Sequence, residues 1–374
     1  MPGSKSPRVR DILKALDSKY PFNRAASWDN VGLIAGEEEG KAQKILISVD
    51  ITPRLIDRAV SSGYDLIVSH HPLFLDPLKK VTDEGQEGSY LVKILRNGIS
   101  LICAHTNADL SPFGVSRELA RRLELQDPSP LEVAARRKQH KVVVFVPPDD
   151  LGGVLQASFS AGAGRIGNYS SCSFRATGTG TFLPSAEAKP HTGDVGTLNS
   201  VREERIEFIV DDALLHAVLD AIKGSHPYEE PAIDVYPLRE MLPDGWLGIR
   251  GELEEEITLG QFLARVQRSI EPATIRYCGD LDRKVKKVGV LGGSGGGFVD
   301  NAIRSDIDIF LTGDLKHHQV HRLAHSSIIG VDIGHFDSEK FIMEAFKKTI
   351  ERDFAERVTV DTFDESTEYL KVYV

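Results

Sequence analysis

The chain has 374 residues, 41% hydrophobic and 27% charged, with 45 Lys plus Arg against 55 Asp plus Glu for a formal net charge of -10. That length exceeds what one core ordinarily organises and implies two domains, and the apolar share excludes general disorder. The acidic balance argues against a nucleic-acid scaffold, which needs a basic face, but it leaves room for a small phosphorylated substrate, because a bound cation inverts the local field.

The basic start, MPGSKSPRVR, leads into an amphipathic segment (Ile12, Leu13, Leu16) and not an apolar run. No stretch approaches the roughly 18 apolar residues of a membrane span, so a cytoplasmic protein without membrane contact is expected. KILISVD (44–50) reads as a buried strand, and Thr52-Pro53 opens a helix reaching about Ser61. DLIVS (65–69) is a second strand ending in His70-His71. A helix over 89–97 stops at Gly98, and ISLICA (99–104) is a third strand ending in His105. Strands and helices alternating in this way predict βαβ units and a largely parallel sheet.

From 138 to 241 the texture changes. A strand (KVVVFVP), a helix near 150–161, a Gly/Ser/Thr-rich stretch, a strand (205–211), a helix (213–224) and a closing strand (AIDVYPL) follow one another. That order suggests a ferredoxin-like α+β unit, with 185–199 as an exposed loop. The α/β rhythm then resumes. Strands at 286–291, 307–313 and 328–334 alternate with helices near 298–304 and 317–325, and a long helix runs from about Asp337 to Phe354. The expected fold is therefore a discontinuous α/β domain of two similar halves, 1–130 and 243–374, with an inserted domain at 136–241. The three cysteines (Cys103, Cys172, Cys278) have neither disulfide nor zinc-knuckle spacing and read as buried free thiols.

Both halves end strands in ligand-capable residues, SHH and AHTNAD in the first and TGD and GHFDSE in the second, and open α/β sheets build sites at such ends. Adjacent His70 and His71 serve two ions, or one orients the other, since neighbours on a strand point apart. His105 and Asp109 are four apart, as are His335 and Glu339, and the latter pair address one point from a single helical turn. Imidazole with carboxylate suits zinc, iron or manganese. A carboxylate, Asp109 or Glu339, can bridge two ions, and ions roughly 3.5–4 Å apart acidify a shared water. VLGGSGGGF (290–298) is a close-approach turn or a substrate-contact loop, and it lacks a P-loop's G-K-[ST]. Asp314 either orients a ligand or caps the next helix. Trp28-Asp29-Asn30 is a packed turn or reaches the cleft. His140, His191, His216 and His226 read as structural or solvated.

WDNVGL (28–33), SHHPLF (69–74), AHTNAD (104–109), TGDLKHH (312–318) and GHFDSE (334–339) resemble the signatures of the GTP cyclohydrolase I type 2 homologue, or Nif-three-like, family. GAGRIGNYSSCSFRATGTGTF (162–182) and HPYEEPAIDVYPL (226–238) resemble the PII/CutA-like trimerising insert of its longer bacterial members. The resemblance implies two divalent metal ions held by His70, His71, Asp109, His335 and Glu339, with His105 as a further ligand or acid/base group. It also implies a homohexameric toroid. Asp76 departs from the family, which often carries a basic residue there.

The leading expectation is a metal-dependent hydrolase acting on a nucleotide or related small molecule, with His105 or Glu339 moving protons. One alternative is a regulatory or metal-handling protein whose insert senses a ligand. Another is a phosphoesterase or nuclease, which the acidic charge weakens for nucleic acid.

Overall fold

The computed structural model describes residues 6–166, 169–238 and 242–369. The chain divides into two compact units, one of residues 1–134 and 245–374, the other of 135–244. Among the described residues the fold is mixed α/β with three sheets, and no helix there is long and apolar enough to cross a membrane.

In the larger unit, Lys44–Ser48, Leu66–Ser69 and Ser100–Cys103 pair in parallel, and Thr359–Thr362 adds a parallel edge beside Lys44–Ser48. Leu66–Ser69 and Ser100–Cys103 are buried throughout, as expected for strands covered on both faces. The pairing is in step at the carboxyl ends, with Ser48 opposite Ser69 and Ser69 opposite Cys103. Asp50, His70-His71 and His105 therefore emerge along one edge. Thr52 caps the helix Pro53–Ser61, its side chain accepting the Leu55 N–H at 3.1 Å.

The second sheet repeats the plan with Lys284–Ser294, Ile309–Gly313 and Ile329–Asp332 in parallel. The likeness reaches single residues. Asp65 accepts the backbone N–H groups of Gln43 and Lys44, and Asp308 accepts those of Lys286 and Lys287, each tying a strand entry to its neighbour. The first sheet is largely parallel, as expected, but both sheets carry antiparallel strands as well. Gly32–Ala35 runs antiparallel to Ser100–Cys103, and Arg276–Tyr277 and Leu242–Thr258 run antiparallel to their partners.

The expected long helix from Asp337 is two helices, His335–Glu339 and Ile342–Phe354, separated by a turn at Lys340-Phe341. Lys340 there bonds Asp337 and the Glu271 carbonyl, and Phe341 packs under the Arg122 guanidinium. The second helix sends Ile342, Phe346 and Ile350 into the same core as Ile45, Ile47, Leu66, Val68 and Ile102. A helix following the second sheet thus completes the core of the first, and that packing carries Glu339 to the histidines.

The unit 135–244 has four antiparallel strands and two main helices, Leu151–Ser160 and Leu215–Ser225. In chain order the strands are Gln139–Val146, Phe174–Phe182, Asn199–Asp211 and Ile233–Pro237. The third and fourth flank the first, and the second pairs with the third. The Gly/Ser/Thr-rich stretch supplies the strand Phe174–Phe182, and 185–199 is an exposed loop for most of its length. Of the cysteines, only Cys103 is buried; Cys172 and Cys278 are partly exposed, and all three are free thiols.

Candidate metal centre

Four histidines just past strand ends of the larger unit share one pattern: Nδ1 is held by an acceptor. His70 Nδ1–H donates to the Ala104 carbonyl at 2.9 Å and His71 Nδ1–H to Asp50 Oδ1 at 2.7 Å. His105 donates to Asp29 Oδ1 at 2.9 Å and His335 to Asp314 Oδ2 at 2.7 Å. Because these partners can only accept, the tautomer is set, and Nε2 keeps the lone pair. This is how metal-binding imidazoles are usually oriented.

The Nε2 atoms of His70, His71 and His335 turn to Glu339, which is 3% exposed. Its Oε2 lies 3.0 Å from His71 Nε2 and 3.3 Å from His335 Nε2, while Oε1 lies 3.7 Å from His70 Nε2. Asp109 Oδ1 stands 3.5 Å from His70 Nε2. Three overlapping sets result: His70, His71 and His105; His71, His335 and Glu339; and His70, Asp109 and Glu339. In each, one ligand atom per residue lies within 4.8 Å of the others.

His70 Nε2, Asp109 Oδ1 and Glu339 Oε2 are buried and lack hydrogen-bond partners. A lone pair facing a carboxylate oxygen is repulsive unless a proton or a cation lies between them, so this donor set fits a divalent ion.

The protonation balance says the same. Burial pulls the imidazole pKa values down, but the acids more than reverse this. Glu339 and Asp314 push His335 up to about 9, Glu339 and Asp50 hold His71 well above its ordinary value, and Asp109 and Glu339 raise His70. For Glu339, burial opposes ionisation, but His71 and His70 outweigh it and hold the carboxyl well below the usual range. Asp109 moves up, through burial and the Glu339 charge. Burial also opposes ionisation of Asp29, but the hydrogen bonds from His105 and Thr106 bring it to about 2.

A pH dependence follows. A histidine whose folded pKa lies above its unfolded value of about 6.5 contributes stability that is complete below that value and lost as pH rises through the folded one. In chelator, the melting temperature is expected to fall between pH 6.5 and pH 9.5 as His335 passes about 9. Saturating zinc, which takes the deprotonated rings, should flatten or reverse the slope. Thermal melts at both pH values check this; a flat profile in chelator contradicts it.

All six residues singled out for metal or proton chemistry, His70, His71, His105, Asp109, His335 and Glu339, lie in this cluster. His317 and His318 lie outside it, on an exposed helix. Asp314, at φ +56, orients His335 and is not a cap; the next helix is capped at Lys316, whose backbone N–H donates to Gln319 Oε1 at 2.7 Å. Trp28-Asp29-Asn30 reaches the site through Asp29. The glycine turn makes the expected close approach and also borders a cavity. Gly293 lies against Glu339, and Ser294 and Phe298 line a cavity of about 500 Å³ beside the cluster, together with Trp28, Leu247, Leu291 and Glu132. Sequence reasoning missed Asp50, with its Thr367 hydroxyl donor, and Glu368, which accepts the Phe336 N–H at the start of the His335–Glu339 helix. Asp50 carried a signal, because it too sits just past a strand.

Residues 7–368 match the family described as Duf34/NIF3 (NGG1p interacting factor 3). A Mycobacterium leprae protein named GTP cyclohydrolase 1 type 2 homolog is 39% identical over 339 residues, 89% of this chain and 87% of the relative. The solved Bacillus cereus protein related to NIF3 is 35% identical with a TM-score of 0.83, covering 99% of this chain and 100% of that one. A Staphylococcus aureus structure aligns over the same shares at 27% identity and a TM-score of 0.81. Motifs, mixed α/β fold and family match agree along nearly the whole length, and the chain belongs to the Duf34/NIF3 family.

Proposed function

We propose that this protein is a metal-dependent hydrolase whose His70, His71, Asp109, His335 and Glu339 would hold two divalent ions. The observation that carries this reading is the division of labour at Glu339, whose Oε2 faces His71 and His335 while Oε1 faces His70, itself beside Asp109. Ions of the zinc, iron or manganese type bound there would acidify water and polarise a substrate's electrophilic centre. His105, anchored by Asp29 and lining the cavity, is placed to hold or pass a proton. Glu339, with both oxygens turned to imidazoles, serves as ligand first.

The names of relatives suggest a nucleotide such as GTP as substrate, and a cavity of about 500 Å³ is of the size that takes small ligands. We further propose that residues 136–241 form an inserted PII/CutA-like domain and that the protein assembles as a hexamer. The strand arrangement of that unit, a ferredoxin-like order, supports the first, and light scattering tests the second.

Protein purified without added metal should carry close to two ions per chain by elemental analysis, and hydrolysis across a nucleotide panel should stop on chelation. His105→Ala should retain the metal while losing turnover. Full metal occupancy in His70→Ala would remove the basis of the assignment.

A further inference from the structure

The unit 135–244 contains a cavity of its own, about 490 Å³ in volume. The HPYEEP turn (226–231), conspicuous in sequence and unused by the metal chemistry, shapes one wall. His226 is 8% exposed, its Nε2–H donating to the Phe145 carbonyl at 2.9 Å and its Nδ1 accepting the Tyr228 N–H at 3.1 Å. Burial keeps that imidazole below its ordinary pKa, in the neutral form the two bonds require. So held, Tyr228 donates its hydroxyl to Glu203 Oε1 at 3.0 Å. Burial and that carboxylate push the phenol up to about 12, so it stays a donor.

Glu203 is 9% exposed, and among the described residues Tyr228 is its hydrogen-bond partner and no Lys, Arg or His nitrogen forms an ion pair with it. Gly180 makes room for Glu203 Oε2, because a Cβ there would collide with that oxygen. A carboxylate with one neutral donor keeps acceptor capacity for a further donor. Phe145, Phe182 and His191 also line the space, and Lys189 is the sole Lys or Arg among the described lining residues, against Glu203, Glu229 and Glu230.

We propose that this cavity binds a small organic cation, its ammonium or amidinium group against Glu203 and Tyr228 and its flat apolar body among Phe145, Phe182 and His191. The aromatic walls would add cation–π attraction. A bare metal ion would leave most of the apolar-lined volume unused, whereas an amine of ring size uses both the charge and the walls.

The test compares benzylamine with its near-isosteres benzyl alcohol and benzoate, titrated into the full-length protein by calorimetry with chelator present, so that the metal cluster plays no part. Benzylamine should bind saturably at about 1 mM or tighter, and the two analogues at least tenfold more weakly. Glu203→Gln should lower benzylamine affinity tenfold or more. Gly180→Ala, which crowds the same carboxylate from the other side, should do likewise and serves if the first variant fails to fold. Magnesium chloride added in excess over the chelator should not compete. Equal affinity for the three probes, no saturable benzylamine binding, displacement by magnesium, or unaltered binding in whichever variant folds would each overturn the proposal.

Discussion

Glu339→Gln is expected to release the bound metal almost entirely, with affinity falling by about a thousandfold or more, roughly 4 kcal/mol. The carboxylate belongs to two of the three ligand sets, and its oxygens face different imidazoles. An amide keeps the shape, but it removes the charge and replaces one acceptor with a donor that no cation tolerates. The same change withdraws the charge that holds His335 at about 9 and His71 well above its ordinary value. In chelator the histidine titrations should therefore move toward neutrality. Elemental analysis reads the first effect and NMR titration of the imidazole protons the second. A variant with full metal and unshifted titrations would show that Glu339 is not the hub.

Gly293→Ala should be nearly as severe, although it removes no ligand. Gly293 sits at φ +69, where an L-residue is strained by about 1–3 kcal/mol. The added methyl would also collide with Glu339 Oε1 and approach His335 Nε2 to 3.5 Å. Glu339 is sealed in and has no room to yield, and the Gly293 N–H and C=O are tied to Ser338 and Thr312. We expect a loss of about 2–4 kcal/mol in urea denaturation together with weakened metal binding. Gly297→Ala, in the same loop but with nothing within 4 Å of the added carbon, should be close to neutral. Equal behaviour of the two variants would mean that close approach at the cluster is not what position 293 is for.

Much of the site was legible because its residues follow a local rule. Buried strands such as Leu66–Ser69 and Ser100–Cys103 announce themselves by apolar runs, and the polar residues after them mark a sheet edge where ligands gather. Glu339 was readable from His335 by helical spacing alone. The rule was applied too narrowly. Asp314, read as a ligand-orienting residue or a cap, holds His335; Asp50 also follows a strand and holds His71, but an acid that supports a ligand looks in sequence like any cap or surface charge. Thr367 and Glu368 carried no signal, because they come from a segment brought over by the edge strand Thr359–Thr362.

The sequence by itself determined the elements, the ligand-capable chemistry at their ends, the i,i+4 geometry of His335 and Glu339, and the family. Periodicity and capping are short-range properties and suffice for the elements; the family came from the resemblance of the motifs. Only the tertiary structure decided that the two halves share one centre. That depended on parallel strands paired in step, which align Asp50, His70, His71 and His105 at one edge. It depended equally on Ile342, Phe346 and Ile350 burying themselves in the first sheet's core. Hydrophobic burial is non-directional and favours any well-packed partner, so nothing local in the chain could say which core that helix would complete.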